Sequence, residues 1–433
     1  MHPVIILTFC LFFLSACGSE APPHAEEIST YTNDLDISDS DFKDLKETNK
    51  DCIKRTSLIQ NIHHSDFNAA INSHAPLFNT LLTCGLILDK TRSCDFNTLD
   101  FLVESQPLTT NKIQQRVIAT KPWMLHNFES LLKKMPSDLL PLFRSITAII
   151  IHPAVDFAYF SPVTGALYID PSRIAIQTRE IEDTQASNEQ LNFCTKPAVG
   201  SFHYYSRYLL GSQTAFSEQQ TSSDAWRIVP DYSNNKLPQD DQAAYALASI
   251  LFHELAHAND FFHPDNIQSR NRYSTPAEWL TQQDLALTDT VLSHTPSTLL
   301  TAAAKTHFER QAPTDFLASM PIDALALAFH QHPMNDLYGH LSSLEATAIL
   351  FEEWAMKAFF NLDREVAWIT PKDAGEQGCQ NVTFHHPDIN RVLAPERLAN
   401  ALNIARAISI DTEAFTYTPA QQFYGCALDQ AHP

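Results

Sequence analysis

The sequence predicts an α+β fold, predominantly helical, with a small mixed sheet placed ahead of a long central helix. Three observations carry that prediction. The run from Ala243 to Phe262 is rich in Ala, Leu and Phe and meets neither Gly nor Pro until Pro264, as a buried helix requires. Ile146-Thr147-Ala148-Ile149-Ile150-Ile151 is a β-branched run that reads as a buried strand, and Val155 to Phe160 with Ala166 to Asp170 read as a hairpin around Ser161-Pro162-Val163-Thr164-Gly165. With 433 residues, 44% of them hydrophobic, the chain has the material for a large core in two or three parts.

Taken in order, the chain begins with an apolar run, Val4 to Leu14, that falls short of the ~20 residues a membrane span needs and leads into small residues, as a cleaved signal does. Leu14-Ser15-Ala16-Cys17-Gly18 resembles the lipobox of bacterial lipoproteins. The resemblance implies a signal peptide over 1–16 and Cys17 as the lipidated first residue. It also implies residence in the bacterial cell envelope, with Gly18 and Ser19 pointing to the outer membrane, facing the periplasm or the cell surface. Residues 17–48, rich in Asp, Glu, Ser and Thr, read as a flexible acidic tether.

A net charge of −21 without clustered Lys and Arg excludes nucleic acid as a partner, and no G-x-G-x-x-G or P-loop supports nucleotide binding. With Cys10 in the signal and Cys17 lipidated, Cys52, Cys84, Cys94, Cys194, Cys379 and Cys426 remain. In an exported chain with no C-x-x-C pair these read as three disulfides rather than metal ligands, with Cys379–Cys426 a candidate staple of the C-terminal segment.

Residues 49–145 read as a helical region, for example Trp123 to Met135 and Leu139 to Arg144. Residues 146–366 read as one domain: the strands, the central helix, then helices over Pro276 to Leu292, Ser297 to Arg310 and Ser342 to Leu362. Within its hairpin, Leu167-Tyr168-Ile169-Asp170 is the candidate exposed edge, able to pair an extended segment by main-chain hydrogen bonds. Residues 367–433 form a C-terminal segment with a helix from Pro395 to Ile408.

The chemistry lies in His253-Glu254-Leu255-Ala256-His257. On a helix, positions i and i+4 stand one above the other, so His253 and His257 present two imidazoles to one Zn²⁺ while Glu254 stands beside them as general base. Asp240 or Asp241 is the expected N-cap, and Ala246, Ile250, His253 and His257 share one inward stripe. A catalytic zinc takes three protein ligands, and two candidates compete for the third place. His263 follows His257 by six residues, the metzincin spacing, with Met320 as a candidate Met-turn, but Asp260 stands where that motif needs a helix-breaking Gly. Glu345 is the other, in Tyr338-Gly339-His340-Leu341-Ser342-Ser343-Leu344-Glu345.

The Tyr-Gly pair seven residues before a Glu that opens an Ala- and Phe-containing helix, together with Asp260 three residues after the second His, resembles the catalytic domains of anthrax lethal factor and related zincins. The resemblance spans two short segments, of about 12 and 15 residues, and the ExxxD pattern of thermolysin-like enzymes is absent because Ile349 lies four residues after Glu345. It implies a zincin-like fold with His253, His257 and Glu345 as ligands, Glu254 as base and Tyr338 as the assisting hydroxyl. Asp260 is then read as an acceptor orienting a ligand imidazole, and Glu352, on the same face as Glu345 at i+7 and second choice to it as third ligand, as a buried polar support. His340 is a candidate oxyanion contact by its closeness to Tyr338. The expectation is a lipid-anchored zinc metallopeptidase with a peptide or protein substrate. The competing expectations are a metzincin-type site on His263 and a catalytically silent binding lipoprotein.

Overall fold

Among the described residues, two four-stranded sheets accompany a predominantly helical framework. The computed structural model describes Phe67 and residues 77–86, 93–102, 108–155, 158–190, 203–211, 213–217, 237–267, 273–280, 287–288, 297–308, 311–332, 334, 336–371, 382–385, 395–408, 410 and 412. All belong to the unit Glu47–Pro433. The signal, the tether with Cys17, and Cys52, Cys194, Cys379 and Cys426 lie outside the described residues.

The first sheet contains β1 (Val117–Ala119), β2 (Ala148–Ile151), β3 (Ala158–Ser161) and β4 (Ala166–Ile169) in the order β1-β2-β4-β3. The first three neighbours run parallel and β3 runs antiparallel to β4, so the sheet is mixed, as expected. Strand periodicity divides its side chains between two cores. Val117, Ala119, Ile149, Ile151, Leu167 and Ile169 enter the main cluster, and Ile118, Ala148, Ile150, Ala166 and Tyr168 enter a smaller one with α1 (Phe78–Gly85). Cover on both faces explains why these strands read as unbroken apolar runs.

The strand order corrects one expectation. Leu167–Ile169 is buried and hydrogen-bonded on both sides, because β2 takes β4 in parallel register, Ala148 opposite Ala166. The edge is β3. Gly165, at φ 67°, closes the turn between them, with its N–H donating to Ser161 O.

The α2 helix (Pro122–Leu132) covers the expected 123–135 span less its last turn, whereas 139–144 forms part of a 3₁₀ segment, Ser137–Ser145. Pro141 inside that segment has no N–H for an α-helical bond. The central helix α3 (Gln239–Phe261) starts one residue after Pro238, so Asp240 and Asp241 stand in its first turn and not at its cap. There they still face the positive end of the helix dipole and pair with Lys134. Residues 246–256 of α3 are buried without interruption, which makes it an interior helix and not an amphipathic one.

Downstream, α4 (Thr298–Phe308), α5 (Ile322–Gln331), α6 (Ser343–Phe360) and α7 (Pro395–Ala407) follow; the expected helix over Pro276 to Leu292 is helical over Pro276–Leu280 and at Thr288, with 281–286 and 289–292 outside the described residues. Helix α6 packs along α3 and against α7. The second sheet, which the sequence reading did not anticipate, is antiparallel throughout: β5 (His203–Leu210), β6 (Gln213–Ser217), β7 (Asp363–Pro371) and β8 (Val382–His385) in the order β6-β5-β7-β8. Its β5–β7 pairing sets Tyr208 opposite Arg364. Cys84 and Cys94 form a disulfide.

Candidate metal centre

Two helices bring three ligand atoms together. Turn by turn along α3, His253 and His257 present their rings 4.9 Å apart, as i and i+4 positions do. Glu345 stands in the first turn of α6, which Ser342 caps by accepting the Glu345 N–H at 3.2 Å. Its Oε2 lies 3.0 Å from His253 Nε2 and 3.3 Å from His257 Nε2. All three ligand atoms fall within 4.8 Å of one another. A tetrahedral zinc with ligand bonds of about 2.0–2.2 Å sets its donors roughly 3.3 Å apart, so the set fits that ion.

The charge balance also fits a cation. Among the described residues around the triad, Glu254, Glu352, Glu353 and Asp336 are buried, Glu345 is partly so, and one guanidinium, that of Arg364, is buried with them. Buried charge without a partner is costly. Burial alone pushes the Glu345 carboxyl up, yet the positive charge on His257 and the hydrogen bonds from both imidazoles hold it below the ordinary carboxylate range. Burial opposes a charged His253, but hydrogen bonds to Glu345 and Glu352 hold its proton well above the usual imidazole value. These are groups organised around positive charge. Side-chain exposure rises from 9% at His253 through 12% at His257 to 23% at Glu345, so the site opens on the Glu345 side.

Glu254 is buried beside the triad, and burial, the largest influence on it, raises its carboxyl above the ordinary range against the pull of both histidines. It accepts a hydrogen bond from the Phe160 N–H, which belongs to edge strand β3. Tyr338, in the 3₁₀ turn Tyr338–His340, sets its ring 5.8 Å from His253 and hydrogen-bonds the Glu345 carboxylate. Burial, then the charges of Glu345 and Glu254, push its hydroxyl well above the ordinary phenol value, so it stays protonated as a donor.

Glu352 stands behind His253 and accepts from its Nδ1 at 3.2 Å. Its other oxygen accepts from the Tyr208 hydroxyl at 2.9 Å, from the Ser249 hydroxyl, and from Arg364 at 3.4 Å. Of the two carboxylates expected beside the triad, Glu352 meets a triad imidazole and Asp260 does not. Asp260 instead accepts the backbone N–H groups of Leu287 and Thr288 and the Thr288 hydroxyl, and so clamps that segment onto α3.

His263 does not join the triad. Helix α3 continues through Asp260 to Phe261, so the chain does not turn back as a metzincin loop would. Its Nε2 donates to Ala407 O at 2.6 Å while Nδ1 accepts the Asp265 N–H. Met320 packs with the apolar cluster of α4, α5 and Tyr204. His340 is buried with its ring 4.4 Å from that of His332 and 6.0 Å from Phe329.

Tyr208, Ser249, Asp336 and Arg364 were not singled out from the sequence. Ser249 had a local signal, one helical turn before His253 on the same face. The other three arrive through strand pairing and a turn, which leave no spacing to read. Compared with family models, curated proteins and solved structures, the chain matches none.

Proposed function

We propose that this protein is a zinc-dependent peptide hydrolase of the zincin kind, held to the bacterial envelope by lipid on Cys17. The observation that carries the reading is the convergence of His253 Nε2, His257 Nε2 and Glu345 Oε2 with the Glu254 carboxylate beside them. Held by those three ligands, Zn²⁺ supplies Lewis acidity, acidifying a water and polarising a carbonyl. The chain's own residues do the rest. Glu254, raised by burial toward the working pH, takes the proton of the attacking water and returns it to the leaving amine. Tyr338 keeps its proton and donates to the oxyanion that forms on the carbonyl. Edge strand β3, antiparallel to β4 and touching Glu254 through the Phe160 N–H, offers main-chain groups on which an extended peptide can lie.

Glu254→Gln tests the chemistry. The variant is expected to fold and hold one zinc per chain while hydrolysis falls to background, read as the loss of new protein N-termini in cells carrying it in place of the wild type. Equal sets of new N-termini would overturn the peptidase reading and leave a metal-binding lipoprotein.

A further inference from the structure

The centre is backed by a guanidinium whose partners extend to both sides of it. Arg364 leaves β7 directly opposite Tyr208 of β5, so the two side chains share one sheet face. Its Nη1 donates to the Tyr208 hydroxyl at 3.1 Å and to Glu352 Oε1 at 3.4 Å, and Glu352 Oε2 holds His253 Nδ1. Its Nη2 donates to Asp336 Oδ2, and Asp336 Oδ1 accepts the Tyr338 backbone N–H at 2.6 Å. Its Nε lies 3.4 Å from Glu353 Oε1. An unbroken path thus runs from a metal-ligand imidazole through Glu352, Arg364 and Asp336 to the main chain of Tyr338. The side chains of Arg364 and Asp336 are 2% and 1% exposed, so water does not compete for these bonds.

We propose that Arg364 is a positioning residue that sets the Tyr338 hydroxyl relative to the metal by holding the His253 support and the Tyr338 turn in one frame. An ion pair that only joined β7 to its neighbours would need a single carboxylate. Here one planar fork reaches three, and two of them hold site residues through their second oxygens. A lysine ammonium keeps the charge but not the fixed divergence of donors that links Glu352 to Asp336. This inference rests on the proposed function for its kinetic part and stands apart from it in its structural part.

The test is Arg364→Lys in the full chain, with three readouts. In the metal-free protein the Tyr338 amide is expected to exchange its hydrogen at least about tenfold faster, because Asp336 is no longer held against it. With zinc bound, kcat is expected to fall about 10- to 100-fold with KM within about threefold, zinc still bound at one per chain. In a Tyr338→Phe background the same substitution should cost less than about threefold, since the hydroxyl it positions is gone. Unchanged Tyr338 exchange, or rate losses that multiply in full across the two substitutions, would overturn the proposal. If Arg364→Lys does not fold, Asp336→Asn breaks the same link at its far end, and the same three outcomes decide. A wild-type protein that binds no zinc or cleaves nothing would sink the proposed function, while the exchange comparison still decides whether Arg364 holds the Tyr338 turn.

Discussion

Glu352 fixes the chemical identity of His253. By accepting from Nδ1 it leaves the lone pair on Nε2, the atom facing Glu345 and the centre, whenever the ring is neutral. Glu352→Gln offers an amide that can present N–H in place of an acceptor, and zinc affinity is expected to fall about 10- to 100-fold in chelator competition. Unchanged affinity would remove Glu352 from this role. The proton on His253 adds a pH dependence. Its folded value is raised above the ordinary ~6.5. In the metal-free protein it therefore contributes stability that is complete below ~6.5 and lost as pH climbs through the raised value. Zinc requires the neutral ring, so its affinity should increase with pH across that same window. An affinity flat from about pH 6 to 9 would contradict the assignment of His253 as a ligand. Tyr338→Phe should leave zinc in place and slow hydrolysis by about 10² to 10³, the scale of a lost oxyanion donor.

Helix α6 is where local rules and site geometry coincide. Ser342 caps its start, Glu345 takes the N3 position, and Asn361 at φ 54° ends it, with its N–H and that of Leu362 returning to Lys357 O and Met356 O. Ser342→Ala is expected to cost about 1 kcal/mol in denaturant unfolding and to weaken zinc binding, because the freed first turn carries the ligand. Loss of stability with unchanged zinc affinity would separate the cap from the site. Both α6 and α3 were legible in the sequence because an apolar run and a motif agree within one segment, although the cap expected for α3 falls inside its first turn. The strands were legible only in part. Ala148–Ile151 and the hairpin announce themselves by β-branched residues and Gly165, but Val117–Ala119 is three residues long, too short to show a period. The second sheet pairs β5 with β7 across more than 150 residues of chain, and its one local signal, Leu210-Gly211-Ser212-Gln213 at the β5–β6 turn, is slight.

At the scale of the molecule, the main apolar cluster joins the first sheet to α3, α6 and α7, so the two ligand-bearing helices are set by the same packing that makes the fold stable. The triad is named from two distant motifs by the resemblance they carry, since the 87 residues between them (258–344) give no register. Asp260 was misread for a related reason: its position on α3 was clear, but its partners, Leu287 and Thr288, come from that intervening stretch. Among the described residues no helix is long and apolar enough to cross a membrane. Attachment is expected to rest on Cys17, with wild type partitioning into detergent and Cys17→Ser remaining soluble or unprocessed; equal membrane association of the two would remove the anchor. If His253, His257 and Glu345 form one zinc site, metal content per chain of purified wild type beside Glu345→Ala and His263→Ala tests it directly. One zinc is expected in wild type and in His263→Ala, and none retained by Glu345→Ala. Zinc kept by Glu345→Ala and lost by His263→Ala, or a folded wild type with no affinity for zinc, would contradict it.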